Sequence, residues 1–425
     1  MIKMFIIYLL ITLVSSSEIT NGTCGKTCEW YYYEENNTMI IFGENEIEMT
    51  EQNENITSIS ICDKLKDVVK YLIIDERITS IGNYSFHEFS LLESITFSSQ
   101  TKYIGEYAFY GCTSLQSITL PNTITTLGKA VFMKCEKVTE IKLSEQLTSL
   151  PDKAFMDCSS LKEIIISDRI EKLGQSIFNN CHSLTSVILG NNTKRIPTGC
   201  FTNCRSLKNI IIPDGILSIG ASSFLGCVQL TSLTIPESVR LIEEGAFAKT
   251  SISTILIPGT VSIIDRGAFN HCYQLSDIIL QEGVTKIKSD AFRGCISLTK
   301  IELPSTIEKI EMSAFADCTS LTTIVFKGSK EPECNEHALD DTVTTIEVPE
   351  DYINQTFCGK QVTGNDTDSD YTTVIVALSI VFMIVCVIVV SVVIAIFYYI
   401  FKKKTKEQFP LLSPSKVPKN QESDV

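Results

Sequence analysis

The chain has 425 residues, 44% of them apolar, with 21 Gly and 12 Pro, enough for one large or two ordinary domains. These proportions exclude collagen-like, proline-rich and wholly disordered chains. The net charge of −14 is uneven: six lysines face three carboxylates after residue 401 and Lys3 stands alone before residue 18, which leaves the stretch between at −18. An acidic body of that size repels phosphate backbones and argues against nucleic acid as a partner.

In chain order, Lys3, the apolar run from Met4 to Val14 and Ser15-Ser16-Ser17 have the order of a secretory signal peptide, residues 1–17. Eleven apolar residues are too few to cross ~30 Å of hydrocarbon. Seven Asn-x-Ser/Thr triplets follow, at Asn21, Asn36, Asn55, Asn83, Asn191, Asn354 and Asn365. All are expected on the outer side, where such triplets accept N-glycans.

From residue 69 to 333 the sequence repeats. Phe86, Phe109, Phe132, Phe155, Phe178, Phe201, Phe224, Phe247, Phe269, Phe292 and Phe315 are 23 residues apart, except for one gap of 22 after Phe247. Around each runs a pattern such as Ile104-Gly105-x2-Ala108-Phe109-x2-Cys112-x2-Leu115-x2-Ile118-x-Leu120-Pro121. Its Leu-x2-Ile-x-Leu part alternates apolar and variable residues and predicts a short strand. Thirteen such strands begin between Val69 and Val343; stacked in parallel at ~4.8 Å they make a curved slab. The Ala-Phe-x2-Cys part predicts a short helical or 3₁₀ turn. One repeat cannot cover its own Phe, Leu and Ile; its neighbours must. The expected fold is therefore a β-rich solenoid of about 13 parallel strands with short helical or 3₁₀ turns.

This pattern closely resembles the BspA-like leucine-rich repeats, the 23-residue class found in surface antigens of anaerobic bacteria and, in membrane-anchored form, of parasitic protists. Cys24-Gly25-x2-Cys28-x-Trp30 with Met39-Ile40-Ile41-Phe42-Gly43 resembles the N-terminal cap of these proteins, which assigns residues 18–68 to a cap region. The resemblance implies a leucine-rich-repeat solenoid that attaches to a host-cell or matrix protein; it does not fix the ligand. Thr250 departs from the pattern at the cysteine position of the shortened repeat, where a local kink is expected.

Cys112, Cys135, Cys158, Cys181, Cys204, Cys227, Cys272, Cys295 and Cys318 share one repeat position and should form a buried ladder of free thiols. Neighbours in such a ladder sit ~4.8 Å apart at Cβ, farther than the ~3.8 Å of a disulfide. Cys200, in place of Ala before Phe201, is expected to be buried too. Disulfide candidates lie at the ends: one bridge among Cys24, Cys28 and Cys62, and one between Cys334 and Cys358 in a C-terminal cap, residues 334–358.

Along the strands, the outward position reads Ile165, Ile188, Ile211, Thr234, Leu256 and Ile279 over the middle six repeats. Its flanks carry Glu163, Ser186, Asn209, Ser232 and Asp277, with Lys162, Lys208 and Ser253 beside them. Beside the reading of a ligand-binding stripe rimmed by polar residues stand two plainer ones: isoleucine present for strand propensity, or isoleucine covered by the slab.

After a juxtamembrane linker, residues 359–373, Val374 to Phe401 gives 28 residues without a charge, long enough for one transmembrane helix. Lys402, Lys403, Lys404 and Lys406 follow at once, which predicts a single-pass type I protein of the plasma membrane with its repeats outside. In the tail, residues 402–425, Glu407-x3-Leu411-Leu412 resembles a sorting motif read by a clathrin adaptor. Ser423-Asp424-Val425 resembles a PDZ-type terminus.

His87, His182, His271 and His337 are scattered, and Cys24-x3-Cys28 has no nearby His to complete a zinc set. No metal, cofactor or catalytic residue is assigned, and the chain is read as no enzyme. The expected function is that of a cell-surface adhesin or receptor for a host-cell or extracellular-matrix protein. The alternatives are an endocytic or phagocytic receptor driven by the dileucine, and a structural surface-coat protein.

Overall fold

In the computed structural model each 23-residue period closes one coil of chain, and three segments of every coil pair with the same segments of the next. The structure describes residues 19–24, 28–43, 45–47 and 65–363. The expected signal peptide, membrane span and tail motifs, with Cys62, Asn55 and Asn365, lie outside the described residues.

The first side is the strand row anticipated from Leu-x2-Ile-x-Leu. It holds twelve strands of three or four residues, from Tyr71–Ile74 through Glu163–Ile165, Ser186–Ile188 and Asn209–Ile211 to Thr345–Glu347. Partners are parallel and one repeat apart, as in Ile165↔Ile188↔Ile211. The thirteenth expected strand, beginning at Leu230, is reduced to a single bridge between Ser232 and Thr254. The repeat after it lacks one residue between Thr250 and Ile252, so its partner arrives 22 rather than 23 positions on and the ladder is interrupted there.

A second side consists of short parallel strands, of two residues each on the Ile-Gly segments from Tyr103–Ile104 onward, such as Thr126–Leu127 and Lys286–Ile287. Two residues carry no readable alternation, which is why sequence pattern gave no strand here. Coils approach closely on this side: a Cβ at Gly128 would stand 2.2 Å from the backbone nitrogen of Glu106.

The third side corrects the helical expectation: the Ala-Phe-x2-Cys segments form turns and none is a helix. Over Ala-Phe-x2-Cys, alternate N–H groups take different partners. Those of Tyr107, Phe109 and Gly111 donate to the carbonyls of Lys129, Val131 and Met133 one repeat on, while those of Ala108, Tyr110 and Cys112 fold back three residues. A helix would direct every N–H along its own axis and leave none for the next coil. Alternation is reached by a left-handed residue two before and two after each Phe, such as Tyr107 (φ 55°) with Gly111 (φ 73°), or Lys153 (φ 58°) with Asp157 (φ 62°).

Inside, the phenylalanines form one stack. From Phe86 to Phe315 each ring lies 5.2–5.9 Å from the next with interplanar angles of 4–21°. The stack passes through the shortened repeat, Phe247 to Phe269 at 5.3 Å, without the expected kink in it. Repeat leucines and isoleucines pack around the rings as one continuous core.

Both ends of the stack are covered. At the start, antiparallel strands Ile19–Thr23, Cys28–Tyr33 and Thr38–Gly43 lead into the parallel row through Tyr71–Ile74, with Trp30 buried. Gly22 permits this, since a Cβ there would stand 2.6 Å from the indole. At the finish, the hairpin of Thr356–Phe357 and Lys360–Gln361 sets Phe357 against Phe326 at 5.1 Å. Cys24 is bonded to Cys28, and Cys334 to Cys358 across 24 positions.

Phe201→Ala should open a cavity between two stacked rings and cost ~3–5 kcal/mol. Urea denaturation followed by circular dichroism would read this as an earlier unfolding midpoint.

Candidate functional site

Because side chains alternate across a strand, each three-residue strand of the first side sends its middle residue inward and its outer two to solvent. Ile164, Val187 and Ile210 are buried, while Ile165, Ile188 and Ile211 are 63%, 56% and 71% exposed. Parallel register places these three side by side over ~10 Å, two strand spacings. The covered-slab reading is therefore set aside for this trio.

The sequence-derived stripe is only partly continuous. Thr234 interrupts it, and Leu256 and Ile279, paired with each other, are half-buried. Beyond Ile279 the row turns polar at Glu302, which takes Lys327 at 2.9 Å, while Lys300 reaches Glu347 at 3.8 Å. Asp277, on the flank of Ile279, has its carboxyl pushed up by burial and by the charge of Glu302. Glu163, Ser186, Asn209, Ser232, Lys162 and Lys208 are exposed and rim the stripe; Ser253 is half-buried.

A shallow hollow of about 430 Å³ lies along the trio, walled by Ile165, Ile188, Ile211, Asp168, Asn191 and Pro213. Asn191, named above only as a sequon, is with Asp168 and Pro213 a wall residue that pattern reasoning did not connect with the stripe. Its place three residues after Ile188 was the available signal. Leu217, Met312 and Ile353 are also more than half exposed but belong to other rows.

Every cysteine of the repeat position is buried and unbridged, and so is Cys200. Each ladder thiol donates to the Phe carbonyl of the preceding repeat, as from Cys204 to Phe178 and from Cys227 to Phe201, both at 3.1 Å. That carbonyl already accepts the N–H three residues on in its own repeat, from a Cys except at Phe86 (Phe89) and Phe247 (Thr250), and the thiol is a second donor to it. At Thr250 the hydroxyl donates instead to Phe247 of its own repeat.

The sequon asparagines differ in what holds them. Oδ1 of Asn36 accepts the N–H of Thr38, and Oδ1 of Asn83 that of Glu106. Asn21, Asn191 and Asn354 are exposed. His87 stacks on Tyr110 at 4.8 Å, His182 Nδ1 meets the carbonyl of Asn203, and His271 contacts Asn270. Among the described residues no three His, Cys, Asp or Glu side chains gather as a metal site.

The parallel coils, stacked rings and repeated pattern define a leucine-rich-repeat solenoid. The model of the BspA type leucine rich repeat region matches residues 60–185, 148–276, 194–322 and 241–354, and the chain belongs to that family. It is similar in fold to a leucine-rich repeat protein from Bacteroides ovatus, with 23% identity, 80% of this chain and 95% of that one covered, and a TM-score of 0.59. It is also similar to one from Eubacterium ventriosum, with 19% identity, coverage of 83% and 98%, and a TM-score of 0.52. No curated protein matches the chain.

Burial raises the thiols of Cys112, Cys135, Cys158, Cys181 and Cys204 above the ordinary value of 9.0, Cys272 to about 11 and Cys227 to about 12. Thiolate is the reactive form, so these cysteines should resist a thiol reagent at pH 8 until the chain unfolds. A thiol whose pKa is raised on folding contributes stability that is full below the unfolded pKa and lost as pH rises through the folded one. Stability should thus stay level to about pH 9 with respect to these groups, then fall toward pH 11 and above. Denaturation midpoints across that range check the sign.

Proposed function

We propose that this chain is a surface-displayed attachment protein that holds a host-cell or extracellular-matrix protein against Ile165, Ile188 and Ile211. The observation that carries the reading is the in-register exposure of these three side chains beside a hollow, bounded along the row by Lys142 and Thr234. An apolar patch with a polar rim suits a protein partner, since its burial gains from dehydration at the centre while the rim selects by charge. A membrane anchor at 374–401 with Lys402, Lys403, Lys404 and Lys406 inside would present the solenoid outward. Display and contact are the whole mechanism; neither a catalytic group nor a cofactor takes part.

Burying an exposed isoleucine is worth ~1.5–3 kcal/mol at most, so three of them can supply a factor of 100 or more in affinity. Replacing Ile165, Ile188 and Ile211 together by Thr keeps the β-branched strand preference and removes most of that apolar surface. Attachment of cells displaying the variant to cultured cells and coated matrix proteins should weaken at least ~100-fold, with the amount at the surface unchanged. Wild-type attachment should survive high salt, because its centre is apolar. Equal attachment by variant and wild type would refute the assignment.

A further inference from the structure

The hollow beside the trio contains a group that protein attachment does not use. Asn191, in the triplet Asn191-Asn192-Thr193, walls the same space as Ile165, Ile188 and Ile211 and is itself exposed. Its carboxamide makes no hydrogen bond to the described residues, in contrast to those of Asn36 and Asn83, whose Oδ1 atoms are engaged.

The turn that carries Asn191 is fixed on several sides. Its backbone N–H donates to Asp168 Oδ1 at 2.8 Å, and Asn192 Nδ2 donates to the Asp168 carbonyl at 2.8 Å. Gly190 presses against Ser167, where a Cβ would stand 2.4 Å from the carbonyl oxygen. The Thr193 hydroxyl is buried on the carbonyl of Ile170 at 3.2 Å. With that hydroxyl closed off, the triplet is open to modification on the chain before the coil forms. Once formed, the coil holds the Asn191 side chain at the edge of the hollow.

A sugar joined to Asn191 Nδ2 therefore starts at the apolar hollow rather than in open solvent. The trio spans two strand spacings, ~10 Å, within reach of the first two sugars of an N-linked chain. Sugar rings and the methyl of an N-acetyl group offer apolar faces to isoleucine, while their hydroxyls remain toward water. Asp168 stands in the same wall and gives the sugar a polar neighbour.

We propose that an N-linked, N-acetylglucosamine-bearing glycan on Asn191 lies over Ile165, Ile188 and Ile211 and controls access to them. This rests on the attachment reading for its biological consequence, since the glycan lowers, and its removal raises, the fraction of time the stripe is open to a partner. The shielding itself is independent of any partner.

The test uses the full chain at the surface of a glycosylating eukaryotic host. Glycopeptide mass spectrometry reads Asn191, and labelling of intact cells with a photoactivated diazirine reads the exposure of the peptides containing Ile165, Ile188 and Ile211. The expected result is a glycan on Asn191 and about threefold more label on those peptides in Asn191→Gln, with the Ile296 peptide unchanged as an internal reference. Enzymatic removal of the glycan from the folded chain makes the same comparison if the variant fails to reach the surface. A bare Asn191 in the surface chain, or equal labelling with and without the glycan, overturns the proposal. Attachment measured in parallel separates the two readings: if label rises on glycan removal while attachment ignores both Asn191→Gln and the Ile-to-Thr triple, shielding stands and the attachment reading falls.

Discussion

Hydrogen bonding of the backbone between adjacent coils sets the terms for everything else in this solenoid. A buried N–H or C=O without a partner is costly, and a coil that has neighbours above and below must offer its donors and acceptors toward them. Two strand rows do this in the usual way. Along the third side, alternate N–H groups turn toward the next repeat only because residues such as Lys153 and Asp157 adopt left-handed backbone at ~1–2 kcal/mol each. The bonds from Lys153, Phe155 and Asp157 to the next repeat, and the enclosed phenylalanine stack, offset that cost.

The same constraint accounts for the cysteines. The Phe carbonyl at the centre of each turn accepts one N–H from its own repeat and has a lone pair left facing the interior. A cysteine one repeat on is small and apolar enough to be buried there and still donates a weak hydrogen bond, which no aliphatic side chain could do. Thr250 departs from this arrangement: its hydroxyl donates to the carbonyl of its own Phe247, which Cys272 also serves, and contacts Sγ of Cys272. Nine thiols in an expected oxidising compartment are thus consistent with a structure that uses them as hydrogen-bonded core, with bridges at its two ends.

A scaffold closed in this way carries function only on its surface. Strands of three residues in parallel register convert a repeat position into a row, so identical residues at that position in consecutive repeats become a patch without any loop having to fold over them. The exposed trio is such a patch. Its limits are set by single residues: Lys142 before it, Thr234 and then the ion-paired Glu302 after it.

The periodicity of Phe, Cys and Leu by itself determined the solenoid, its parallel strand row and the common environment of the cysteines, because a fixed period forces each repeated residue to meet its own copy. It also led to a family resemblance that the match over residues 60–354 bears out. Only the tertiary structure decided the rest. The Ile-Gly strands are too short to show alternation, and the turn replaces a helix because its donors are claimed by a coil 22 or 23 residues away, which local propensity does not register. Exposure divided the stripe into an open trio and the half-buried pair Leu256 and Ile279, and it brought Asn191 to the wall beside them. Those outcomes depend on how far each coil sits from the next and on which side chains cover the row, and those distances exist only once the coils have stacked.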